Sequence, residues 1–339
     1  MKKALVSILL TTVISFSLTA CNSQVSPQVN AVNTTPIFEN EVGASRPIRL
    51  GFEGGLCQAA IPLTHLNGFF AEEGLETEIV VTGDLVTSRD SLAAGHIDTV
   101  AGMLAAWFVP ATQGMDLRFT QGLHTGCASA FVLADSEISE FEAGQNIAVS
   151  GAIGGAFHNI GMRFIHRSGL SPEDFTWRDF PAAEAVLALQ NGDVQVAVIP
   201  EQVGKAFVEQ GILRTIRSLD DEDFAKENCC VLGVMGDFQE DNPETVSRLN
   251  RAIERTSLWL NESDENKREG ITTLIEAGYL SAGLDIDYVV SLMSHWQWGV
   301  SNEMTEQTLT TSIQEYQEIG VINPSLDPEA VRRQLWSPQ

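Results

Sequence analysis

Positive charge is what this sequence has least of. Against 45 Asp and Glu stand 20 Lys and Arg, for a net charge of −25 over 339 residues, and two of those bases, Lys2 and Lys3, open the chain. A nucleic-acid partner is thereby disfavoured, because a phosphate backbone needs a basic face. A strongly solvated acidic surface accounts for the imbalance. Apolar runs of spanning length are also missing: beyond the first 21 residues none approaches the roughly 20 that a membrane helix requires. There is no phosphate loop and no dinucleotide fingerprint. No two cysteines are spaced as CxxC, so no zinc or other metal site is expected from motif alone, and no catalytic constellation is clustered in the chain. A charged content of 19% with 44% apolar residues excludes a disordered chain and fits about two domains of ~150 residues.

The first residues carry an address. Lys2 and Lys3 form a positive region, residues 4–18 an apolar one, and Leu18-Thr-Ala-Cys21 a small-residue cleavage site. The pattern resembles a bacterial lipoprotein signal, which makes residues 1–20 a leader and Cys21 the lipidated residue. Residues 21–45, rich in Ser, Gln, Asn, Thr and Pro, read as a flexible tether. Export leaves Cys57, Cys127, Cys229 and Cys230 in an oxidising space, where four thiols allow three pairings.

What the chain has in abundance is a pattern stated twice. Residues 67–103 and 162–200 each run through an amphipathic helix ending at Gly-Leu (Gly74-Leu75, Gly169-Leu170), a short strand, a second helix closing on glycine (Gly95, Gly192), and a buried strand. Strands are expected over 47–52, 77–81, 98–101, 117–123 and 147–149, and helices over 59–73, 87–94 and 104–113. Alternation at this spacing implies parallel sheets covered by helices. The apolar runs 130–134 and 231–235 bracket the second copy and are expected to be the crossings between two lobes. The second lobe (130–235) is then an insertion in the first (46–129 with 236–339). Helices are expected after Asn242-Pro243 and over 264–277, 285–296 and 303–319.

Ligands of open α/β sheets bind beyond the carboxyl ends of strands. That rule selects Glu53, Gly55, Cys57 and Gln58, then Leu104 and Trp107, then His124, Thr125 and Cys127. In the second lobe it selects Gly151, Ile153, Gly154 and Gly155, followed by Glu201. The glycines bring backbone N–H groups close to a ligand at a helix start. Trp107 can stack on a planar solute or pack in the core. His124 and Cys127 can donate hydrogen bonds or hold a metal with Cys57 and Cys229, with disulfides or plain buried thiols as the simpler alternatives. His295, Trp296 and Trp298 read as core or rim. Glu53, Asp84 and Glu201 are the charges of these loops, with no Lys or Arg, so a small amine or neutral heterocycle suits them better than a bare oxyanion.

The segments Gly68-Phe-Phe-Ala-Glu-Glu-Gly-Leu75, Leu92-Ala-Ala-Gly-His-Ile-Asp98, Pro181-Ala-Ala-Glu-Ala-Val186, Leu189-Gln-Asn-Gly192, Cys229-Cys-Val-Leu232 and Glu318-Ile-Gly-Val-Ile322, in this order behind a lipoprotein signal, resemble the substrate-binding proteins of bacterial ABC importers. The branch is that of nitrate, sulfonate, taurine and bicarbonate binders and of thiamine-pyrimidine-precursor binders. The resemblance covers 48–335. It implies a type II periplasmic-binding-protein-like α/β fold, two lobes with mostly parallel sheets and two hinge crossings, and it adds the Cys229-Cys230 return, with Cys229 as the candidate ligand residue, to the site. It also implies a non-enzymatic, extracytoplasmic solute receptor without a cofactor, working with permease and ATPase subunits and held at the membrane by lipid. A pyrimidine-precursor enzyme of the same fold and a ligand-sensing domain for a signalling partner are the alternatives.

Overall fold

The computed structural model describes residues 37–338; the expected leader and the Cys21 anchor lie outside the described residues. No helix among the described residues is long and apolar enough to cross a membrane. In chain order the strands are β1 Ile48–Phe52, β2 Thr77–Val81, β3 Thr99–Met103, β4 Leu117–Thr125, β5 Ala128–Leu133, β6 Asn146–Ser150, β7 Thr176–Phe180, β8 Val196–Pro200, β9 Leu213–Ser218 and β10 Asn228–Met235. They form two five-stranded sheets, ordered β2-β1-β3-β10-β4 and β7-β6-β8-β5-β9.

The repeat explains this symmetry. Its first copy supplies β2, the helix Leu85–Ala93 and β3, and its second supplies β7, the helix Ala182–Asn191 and β8. In each sheet the strand between the copies' edge and centre, β1 or β6, runs parallel to both neighbours. β8 is apolar and buried along nearly its whole length, as strands covered on both faces are. β2 and β7, at the edges, alternate with exposed positions. Gly192 ends its helix in the left-handed conformation at φ 77°, a backbone that only glycine adopts without strain.

The sheets are mixed. β10 is antiparallel to β3 and β4, and β5 is antiparallel to β8 and β9. In each sheet the reversed strand is the one entered directly after the chain crosses from the other sheet. The crossings themselves lie elsewhere than expected. Residues 130–133 are paired within β5 and 231–235 within β10, because these apolar runs bury themselves as strands. The chain changes sheets at Gly126-Cys127 and again over 219–227.

Two other expectations are corrected. The helix over 59–73 is broken at Gly68, whose φ of 76° cannot continue a right-handed helix, leaving Ala60–Leu66 and Phe69–Glu72. The last part of the expected tether is docked rather than free. Residues 37–44 form two 3-10 turns, and buried Glu41 accepts from Glu244 N at 3.0 Å and Thr245 N at 2.6 Å. A carboxylate there satisfies free N–H groups and the positive end of the helix Pro243–Glu262. The helices Pro243–Glu262, Asp264–Glu276, Ile286–Ser294 and Asn302–Glu318 follow the expected spans within a few residues and contribute to the main hydrophobic core.

Candidate functional site

Strand direction brings the site together. The loops after β1, β2, β3, β6 and β8 lie at carboxyl ends. The reversed strands β5 and β10 begin at that same end, Ala128 pairing with Pro200 and Cys230 with Met103. Between these loops lies a cavity of about 1130 Å³. Of the residues selected from sequence, Glu53, Gly55, Cys57, Gln58, Trp107, Cys127, Gly151, Ile153, Gly154 and Gly155 line it.

Each is held differently. Gly151 and Gly154 have φ of 80° and 84°, and a β-carbon at either would meet nothing within 4 Å. Conformation, not space, therefore calls for glycine in this open loop. Gln58 is buried and spends its amide on the protein, accepting from Glu53 N at 2.7 Å and donating to Ala101 O at 2.6 Å. Trp107 is almost wholly buried and packs against Gly102, where a β-carbon would come within 3.1 Å of its Nε1. Glu53 stands apart: its Oε1 is buried with no hydrogen-bond partner among the described residues. Burial first, and the neighbouring Cys57 second, push its carboxyl up to about 8, so it carries a proton at neutral pH and can donate one.

The other candidates lie behind the lining, and the charge expectation changes with them. Leu104, His124, Thr125, Glu201 and Cys229 are buried and outside it. Glu201 is not a free acceptor, because its Oε1 accepts from Ser129 at 2.6 Å and Ser218 at 3.1 Å, and lies 3.0 Å from Lys205 Nζ. Its Oε2 accepts from Trp296 Nε1 at 3.1 Å. Thr125 is tied through backbone and hydroxyl to Gln297. Trp298 is core, as expected, whereas Trp296 reaches the cavity. Sequence reasoning also missed Arg89, Gln113, Asp116 and Ser150. Arg89 sits on the helix Leu85–Ala93, two residues beyond the loop 83–87 that the carboxyl-end rule selects. It supplies the missing cation but donates to Asp90 Oδ1 at 3.0 and 3.1 Å. With Glu53, Asp84, Asp90 and Asp116 against Arg89, acids dominate the lining.

The cysteines converge. Cys57, Cys127, Cys229 and Cys230 are all free thiols, and they collect with His124 at one wall of the cavity, Cys57 and Cys127 in its lining and the other three groups buried behind it. His124 stacks on Trp296 at 5.1 Å and lies 4.9 Å from the Trp298 ring. Its Nδ1 lies 2.8 Å from Thr125 O and its Nε2 2.9 Å from Cys57 O. The Cys230 thiol, followed by the imidazole, brings Cys57 down to about 6 against burial.

No curated protein matches the chain. Solved structures share its fold. The alkanesulfonate-binding protein SsuA from Xanthomonas axonopodis pv. citri, bound to MOPS, is 16% identical and superposes with a TM-score of 0.69 over 86% of this chain and 98% of that one. The periplasmic aliphatic sulphonate binding protein SsuA from Escherichia coli is 17% identical, with a TM-score of 0.69 over 86% and 97%. The periplasmic nitrate-binding protein NrtA from Synechocystis PCC 6803 is 16% identical, with a TM-score of 0.67 over 86% of each. At these identities the likeness establishes the periplasmic-binding-protein fold, two sheet-centred halves with a cavity at their strand ends. Residues 43–275 match the model of the NMT1-like family, and the chain belongs to that family.

Proposed function

We propose that this protein is the solute-receiving component of an ABC import system, taking a small polar molecule into the cavity and passing it to a permease without chemical change. The observation that carries the reading is the cavity itself, enclosed by loops from both sheets, with Glu53 Oε1 in its lining buried and without a hydrogen-bond partner among the described residues. A buried polar atom without a partner is costly, about 1–3 kcal/mol, and a ligand hydrogen bond there recovers that cost. Lobe closure about 126–127 and 219–227 seals the solute, and Cys21 holds the protein by lipid at the outer face of the membrane.

The acid-rich lining favours a neutral or cationic solute over the oxyanions that the sulfonate and nitrate binders are named for. A neutral Glu53 carboxyl donates to a carbonyl or ring nitrogen, and Asp84 accepts from an amine. Native mass spectrometry of the protein as purified, followed by thermal shift over amines, neutral heterocycles and oxyanions, tests this. A solute at 100 times its dissociation constant adds about 2.7 kcal/mol. Stabilisation by an amine or heterocycle that is weakened at least tenfold in Glu53→Gln supports the reading. Stabilisation by oxyanions alone overturns the solute class, and turnover of a bound precursor into product overturns the non-enzymatic role.

A further inference from the structure

We infer that the thiols gathered at the cavity wall form a binding site for one soft d10 cation, Zn²⁺ or Cu⁺, held by Cys127, Cys229 and Cys230 with Cys57 and His124 beside them. The donor atoms fall into two groups, Cys57–His124–Cys230 and Cys127–Cys229–Cys230, and within each all ligand atoms lie within 4.8 Å of one another. Cys230 belongs to both. Its sulfur is 3.9 Å from that of Cys229. A tetrahedral ion with metal–sulfur bonds of about 2.3 Å spaces its sulfurs roughly 3.8 Å apart. The set contains sulfur and one imidazole nitrogen and no carboxylate, which selects soft cations over magnesium or calcium.

Two backbone features point the same way. Neighbouring residues on a regular strand face opposite sides of the sheet, so Cys229 and Cys230 should not share a target. The pairing of β10 with β4 shifts register on both sides of Cys230, and a bulge of this kind re-aims a side chain. Cys127 is the only non-glycine at positive φ among the described residues, at 85°. A residue with a β-carbon there costs about 1–2 kcal/mol over glycine. The crossing keeps a sulfur where glycine would relax the chain, as expected where strain is retained for function. Nδ1 of His124 stays on the Thr125 carbonyl, which fixes the ring. Nε2 reaches an ion by leaving the Cys57 carbonyl.

Binding exchanges thiol protons for the cation, one proton released to solvent for each sulfur that ligates as thiolate. Cys57 and Cys127 also line the cavity, which gives the ion an entry path. The ion joins the first loop, the end of β4, the first crossing and the start of β10, four places far apart in sequence.

The full chain carrying Cys21→Ser, reduced and freed of metal, is titrated with Zn²⁺, with Co²⁺ as a spectroscopic substitute, and with Ag⁺ as a redox-inert substitute for Cu⁺. The expected result is one ion per chain, an intense thiolate-to-cobalt charge-transfer band, release of protons, and protection of at least three thiols from a disulfide-exchange reagent. Cys230→Ser is expected to weaken the ion at least tenfold while Cys57→Ser weakens it less. Uptake of Ag⁺ but not Zn²⁺ assigns the site to monovalent ions. Four thiols fully reactive in the presence of all three ions, or a protein isolated with stable disulfides among them, overturns the inference. Because these readouts follow the ion alone, they are independent of the solute titrations that test the import reading.

Discussion

Trp296 Nε1 donates to Glu201 Oε2 at 3.1 Å, and with that bond a ring just past the helix Ile286–Ser294 rests on the first residue of the helix after β8. Tyr288 adds a second tie, its hydroxyl donating to Gln202 O at 2.9 Å. The two sheets' layers are therefore pinned at the cavity's edge by side chains that no local pattern pairs.

Trp296→Phe keeps an aromatic ring in place of the indole and removes the donor to a buried carboxylate. A bond to a charged group is worth about 1.5–3 kcal/mol, and urea unfolding is expected to show a loss of that size. A change below ~0.5 kcal/mol, the range of neutral surface substitutions, would mean the bond is not made in solution.

Glu53 sets a pH dependence. Its native pKa is raised from 4.5 to about 8 by burial, so between those values the folded state holds a proton that the unfolded state has released. The contribution to stability is complete below pH 4.5 and is lost as pH rises toward 8, with a slope of up to about 1.4 kcal/mol per pH unit. Glu53→Gln is expected to flatten that limb when unfolding is measured across pH 5–8 (about the interval set by this shift).

Asp98 behaves in the opposite sense. Burial opposes its charge, yet Arg46 and Arg49 grip both carboxylate oxygens at 2.7 to 3.1 Å and hold it at about 2. Its stabilisation is present above pH 3.8 and disappears as pH falls through 2. Asp98→Asn should cost about 2 kcal/mol at neutral pH, and acid titration of both proteins should bring their stabilities together.

Arg163, on the helix Ala156–Arg167, is buried between Glu315 at 2.6 Å and Glu227 at 2.9 Å. Arg167 also pairs with both carboxylates, so removing Arg163 leaves each with one cation, and the loss should fall below the ~3–5 kcal/mol of a fully stranded buried charge. Arg163→Met is expected to unfold at correspondingly lower denaturant. Arg163→Lys should recover only part of this, because one ammonium cannot replace the fork that meets two carboxylates.

The repeated segment made the fold legible. Gly-Leu stops and periodic apolar residues are local signals, and they mapped onto β2, β3, β7 and β8 with the helices between them. Residues 130–133 and 231–235 misled because an apolar run bounded by acids looks alike whether it crosses between sheets or completes one. Loops at strand ends led to Glu53, Cys57 and Gly151–Gly155, but stopped two residues short of Arg89. Glu201 looked like a free acceptor because Ser129, Ser218 and Trp296 are remote in sequence. The strand-end loops did group Cys57, His124, Cys127 and Cys229, but not Cys230: it shares no spacing rule with Cys57 or Cys127, and on a regular strand it would face away from Cys229, so its place depends on the reversal of β10 and its shifted register.

That reversal also dictates an order of assembly. Among the described strands β4 pairs with β10 alone, so the first sheet stays open at its centre until the chain has been made through residue 235. The inserted half contains all five of its own strands by residue 218 and can close first. Pairings across such long loops form slowly. A chain emerging from its N-terminus should therefore hold β1, β2 and β3 as an unfinished platform, vulnerable to proteolysis, while the later-made half is already compact.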